Sequence, residues 1–127
     1  MALTLHWEKG QDNQWGDLLS SDFDRADFQD SEGVYIVWHG GFVPEIVCVG
    51  QGKIGEQLKL LAQNKEVLAF QPLKLYFAWA KLSQDDQEGV EIYLSQTLQP
   101  KLKSQAGQGK PVAVNMPWKK RSQTVST

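Results

Sequence analysis

The fold is decided by Gly33-Val34-Tyr35-Ile36-Val37-Trp38-His39-Gly40-Gly41 and, shortly after it, Ile46-Val47-Cys48-Val49-Gly50-Gln51-Gly52. Val34 to Trp38 is rich in β-branched and aromatic residues, Gly40-Gly41 is a turn signal, and Ile46 to Val49 is a second apolar run. The two runs predict a β-hairpin whose loop is longer than two residues, with Pro44 at its margin. Gly50-Gln51-Gly52 then predicts a break in the second strand.

Downstream, Ile54, Leu58 and Leu61 recur at helical spacing and predict a helix over about 54 to 63. Residues 73 to 82 predict a third strand, with Leu73, Leu75, Phe77 and Trp79 on one face by alternation. Ser83 followed by Asp86 has the spacing of a capping box, and Asp85 adds negative charge to the first turn. Val90, Tyr93, Leu94, Thr97 and Leu98 form that helix's apolar stripe, and Pro100 closes it. Residues 104 to 110 read as a connection and Val112 to Val114 as a last extended piece. Upstream, Trp15, Leu18 and Leu19 have helical spacing in an otherwise irregular lead-in.

The order strand, strand, helix, strand, helix predicts a small α+β domain, with helices flanking a three-stranded, mainly antiparallel sheet. The expected organisation is a lead-in over 1–31 packed on a domain at 32–118, then a basic flexible tail at 119–127.

Composition sets the class. The chain has 127 residues, 41% of them hydrophobic, with five Trp and five Phe, which suits one folded domain and argues against disorder. No apolar run approaches the roughly 20 residues that span a bilayer, and no secretory signal is visible at the N-terminus. Cys48 is the single cysteine, so an internal disulfide and a cysteine-based zinc site are excluded. His6 and His39 lack a cysteine partner set, which argues against a metal role. A reduced, cytoplasmic setting without membrane contact is expected.

Net charge is −2, but it is unevenly spread. Residues 8 to 32 carry Glu8, Asp12, Asp17, Asp22, Asp24, Asp27, Asp30 and Glu32 against Lys9 and Arg25. After Glu91 there is no acid, while Lys101, Lys103, Lys110, Lys119, Lys120 and Arg121 follow. A basic final third can displace counterions from a polyanion, and it can equally be a solvated tail. Trp118 beside Lys119, Lys120 and Arg121 combines a stacking ring with cations, a pairing suited to single strands.

Read together, these segments resemble the GIY-YIG nuclease family over roughly residues 33 to 103. Gly33-Val34-Tyr35 looks like its first motif, and Cys48-Val49-Gly50 stands where its Tyr-Ile-Gly belongs. Glu91 precedes Pro100-Lys101 as the family's glutamate precedes its Pro-Lys segment. The resemblance implies metal-dependent hydrolysis of a DNA phosphodiester. Tyr35 would activate or orient the attacking water, and Glu91 would hold one magnesium or manganese ion. A helix arginine would clamp the phosphate in the transition state. Lys53, Lys101, Lys103, Lys119, Lys120 and Arg121 are the nucleic-acid contacts expected beside them.

Three positions depart from that pattern. Gln57 falls where the arginine belongs, and an amide supplies neither charge nor a bidentate guanidinium fork. Lys53, at the helix entrance, is the cation placed to reach in, whereas Lys59 points away from the stripe. Cys48 replaces the second tyrosine and reads as a buried structural thiol. The asparagine that often follows Pro-Lys has no match at Lys103, with Asn115 a distant substitute. Three readings follow: a DNA hydrolase with an incomplete catalytic set, a non-cleaving nucleic-acid-binding module of the same fold, or a protein-interaction domain. In the third, the acidic segment would meet a basic partner. With no targeting domain attached, a homodimer or a partner protein is expected to direct the chain to its target.

Overall fold

The computed structural model describes residues 3–8, 15–40, 45–102 and 109–117. Its centre is an antiparallel sheet of four strands in the order β1-β4-β2-β3. The predicted hairpin is β2 (Glu32–His39) paired with β3 (Glu45–Lys53), and β4 (Leu75–Lys81) pairs with the other side of β2. The fourth strand was not expected. β1 (Gly16–Asp17) lies antiparallel to β4, with Gly16 opposite Phe77 and Asp17 opposite Tyr76. Trp15 therefore precedes a strand and Leu18 and Leu19 lie in the turn after it rather than in a helix, and Leu19 is exposed. A short helix, α1 (Ala26–Gln29), follows instead.

The second strand also runs further than predicted. Gly50, Gln51 and Gly52 stay paired opposite Tyr35, Val34 and Gly33, and α2 (Ile54–Leu61) begins directly after Lys53. Gly52 makes that direct entry feasible. Its φ of +122° lies where a side chain is strained, so glycine alone enters it without cost. Leu73, expected in the third strand, sits in a 3-10 turn over Gln71–Leu73 and is exposed. Between them, α3 (Lys65–Leu68) is capped by Asn64, whose side chain accepts from the Glu66 and Val67 N–H groups.

α4 (Gln84–Leu98) has Ser83 at its N-cap, but the hydroxyl donates to the Asp86 carboxylate at 3.1 Å instead of capping a backbone N–H. Gln99 ends the helix in the left-handed region at φ 49°, just ahead of Pro100.

Strand alternation sorts the core into two layers. Tyr35, Val37, Cys48, Leu75, Phe77 and Trp79 face α2, with Ile54 and Leu58 against them. Val34, Ile36, Val49, Ala78 and Ala80 face α4, packed on Val90 and Leu94. Thr97, assigned to the apolar stripe, is exposed. Gln87 is buried instead, its amide donating to the Leu82 carbonyl at 2.9 Å.

The lead-in is part of this second layer, since Leu5 and Trp7 are buried in it. Leu3 bridges in parallel to Val114, the last residue of the expected extended piece. Asn115 ties the two chain ends together: its Oδ1 accepts from Leu5 N at 2.6 Å and its Nδ2 donates to Leu5 O at 3.0 Å. Trp7 Nε1 donates to its carbonyl at 2.9 Å. Asn115 is thus a structural clamp.

Leu94 is wholly buried between α4 and the sheet. Leu94→Ala is expected to lower the unfolding free energy by about 3 kcal/mol in a urea titration, through lost transfer energy plus a residual cavity. A loss below about 1 kcal/mol would mean that α4 does not dock as described.

Candidate functional site

β3 is the outermost strand of the sheet, with Lys101 N and Leu102 N donating to its Ile46 and Val47 carbonyls, and the site wraps around the rest of that edge. Because Tyr35 stands opposite Gly50, both point to the α2 face, while Gln51, one residue on, points to the α4 face. α2 then brings Gln57 over Tyr35, and α4 brings Glu91 over Gln51. The outcome is one hollow of about 320 Å³, lined by Tyr35, Gln51, Gln57, Asn64, Glu66 and Glu91 among its polar groups. Cys48, Val49, Leu61, Val67 and Leu102 form its apolar walls. Tyr35, Gln57 and Glu91, far apart in sequence, therefore border a single space.

Two side-chain bonds organise it. The Tyr35 hydroxyl donates to Gln57 Oε1 at 3.5 Å, a long contact. Gln51 Nε2 donates to Glu91 Oε1 at 2.8 Å, a charge-assisted bond. Glu91 is only 3% exposed. Gly50 creates the room for the phenol, since a Cβ there would overlap the Tyr35 hydroxyl oxygen and ring.

Burial, then the charges of Cys48 and Glu91, push the Tyr35 phenol far above its ordinary value of 10.0. The group is therefore a neutral O–H donor at neutral pH and a poor source of phenolate base. Burial likewise pushes Cys48 from 9.0 up to about 12, so this thiol is protonated and unreactive.

Among the described residues, the expected cations are elsewhere. Lys53 is exposed at the start of α2 and is absent from the lining of the hollow. Lys59 pairs with Asp24 at 2.8 Å. Lys101 pairs with Glu45 at 2.9 Å, and this cation together with His39 holds the Glu45 carboxyl below its usual range. His39 itself is buried, 3.3 Å from Glu45 and stacked on Phe70. Lys103, Trp118, Lys119, Lys120 and Arg121 lie outside the described residues. No lysine or arginine lines the hollow among the described residues.

Glu91 and Glu66 offer hard oxygen donors, the kind magnesium and manganese take. The Glu91 carboxylate is almost wholly covered and its Oε1 is engaged by Gln51, whereas magnesium keeps several of its waters. No cluster of three histidine, cysteine, aspartate or glutamate side chains is placed to hold a metal among the described residues.

Gln51, Asn64 and Glu66 were missed in the sequence. Gln51 was legible only by continuing the strand's alternation through two glycines. Asn64 carried an N-cap signal ahead of Glu66, but a four-residue helix has no periodicity to draw attention to it. A second hollow, of about 380 Å³, shares no lining residue with this site and has Glu8, Asp17, Asp22, Arg25, Phe77 and Trp79 among its walls. Among the described residues, no helix is long and apolar enough to cross a membrane.

Comparison with protein-family models, with curated proteins and with solved structures finds no match.

Proposed function

We propose that this chain is a nuclease-fold protein of the GIY-YIG type that binds nucleic acid, DNA foremost, without cutting it. The observation that carries this reading is Gln57. It occupies the place where a phosphate-clamping arginine would act, its Oε1 is turned to Tyr35, and no cation among the described residues borders the same hollow.

Phosphodiester hydrolysis builds negative charge on the phosphoryl oxygens, and fixed positive charge in a dry site offsets it. Removing one such donor costs about two to three orders of magnitude in rate, and a charged donor no less. Tyr35, held neutral, can orient a water but supplies little base strength. Glu91 would serve a magnesium or manganese ion only after Gln51 swung away. Binding, by contrast, needs only cations along a surface, and exposed Lys53 and Lys110 with the basic C-terminal residues furnish those.

The test is a supercoiled plasmid and a branched DNA incubated with magnesium or manganese, beside a gel-shift titration over salt concentration. The expected result is intact DNA, and a shifted complex whose affinity falls steeply with salt. Gln57→Arg should restore detectable nicking. Nicking by the wild type that Glu91→Ala abolishes would overturn the non-cleaving reading and make the chain a hydrolase with a reduced catalytic set.

A further inference from the structure

We infer that the hollow at the edge of β3 takes an unpaired nucleobase, an inference that rests on the nucleic-acid-binding reading above. A duplex backbone is not its complement. The two charged groups in the lining are both carboxylates, Glu66 and Glu91, so a phosphate brought among them meets like charge.

What the lining offers instead is an array of uncharged donors and acceptors between apolar walls. Gln57 spends its Oε1 on Tyr35, which leaves Nε2 as a donor of two hydrogens. Gln51 spends its Nε2 on Glu91, which leaves Oε1 as an acceptor. Asn64 spends its Oδ1 on the first turn of α3, which leaves Nδ2 as a donor. The Glu66 carboxylate accepts beside it. Amides and carboxylates are the groups that read the edge of a base: an amide pairs with a ring nitrogen and an exocyclic group together, and a carboxylate accepts from an exocyclic amine.

Leu61, Val67 and Leu102 supply apolar contact for a flat ring. A volume of about 320 Å³ falls near the lower end of small-ligand sites, about 300–1,000 Å³, too small for a duplex and suited to one heterocycle. Within this site Gln57 is a reader of the base, which gives its departure from arginine a chemical sense. The flanking phosphates then lie outside the hollow, toward Lys53.

The experiment compares a duplex carrying a single-nucleotide bulge with the same duplex whose bulged residue is abasic, by fluorescence anisotropy. In parallel, adenosine and cytidine at millimolar concentration are titrated while the side-chain amide signals of Gln51, Gln57 and Asn64 are followed by NMR. The expected result is a loss of about tenfold or more in affinity for the abasic duplex, with nucleoside-dependent shifts at those amides. Gln57→Leu should erase the preference while leaving residual, salt-sensitive DNA binding. Equal binding of the two duplexes without amide shifts would overturn the base site and leave the nucleic-acid reading standing. Amide shifts without binding to any DNA would do the reverse. Neither signal would sink both.

Discussion

Gly33→Ala is expected to cost about 3 kcal/mol of stability or to prevent folding. A Cβ at this position would run into the carbonyl oxygen of Ala80, on the neighbouring strand β4. That obstacle is backbone. No rotamer change relieves it, and the ladder between β2 and β4 at Gly33 and Lys81 would have to part. Gly50→Ala is the instructive contrast. There the obstacle is the Tyr35 ring, itself buried but a side chain, so the expected loss is smaller, about 2 kcal/mol. In a Tyr35→Leu background part of that loss should return, because the two sites share one space and their effects do not add. Gly33→Ala should gain nothing from the same background. Urea titration of the wild type and the five variants measures both outcomes. A wild-type midpoint for Gly33→Ala would mean that β2 does not lie against β4 in this register.

The second large effect appears at alkaline pH. Cys48 and Tyr35 both have folded-state proton affinities raised by burial, from 9.0 to about 12 for the thiol and from 10.0 further upward for the phenol. Below about pH 9 both groups are neutral in either state and contribute no pH dependence. Above it the unfolded chain releases its protons while the folded one keeps them, so the folded state binds more protons and stability falls as pH rises. Each group contributes about 1.4 kcal/mol per pH unit beyond its unfolded value, together about 4 kcal/mol by pH 11. Cys48→Val should remove the first and larger part of that decline, leaving a later onset near pH 10. The readout is the urea midpoint of the wild type and of Cys48→Val between about pH 8 and pH 11. Identical profiles would mean that the thiol is hydrated in the folded protein.

Period-two runs at 34–38 and 46–49, the stripe Ile54-Leu58-Leu61, and the closure at Pro100 were legible in the chain because each depends on neighbours a few residues apart. The α+β class followed from their order. β1 was not legible. It is two residues long and acquires its partners, Tyr76 and Phe77, from about sixty positions away, so no local preference announces it. Likewise, the extension of β3 through Gly50 and Gly52 opposes the local tendency of glycine to break strands, and pairing with β2 overrides it.

The site divides in the same way. Tyr35, Gln57 and Glu91 are singled out in the sequence by motif and helical offset, but their meeting around one edge, the burial of Glu91 and its bond to Gln51 are products of register. What the chain alone determined is which groups it carries: a phenol, amides and carboxylates. Their convergence, and the absence of Lys53 from the hollow, were decided only by the packed sheet. Strand pairing chooses which alternate side chains share a face, and helix docking chooses which of them are cut off from water; neither quantity exists in a segment until its distant partner is in place.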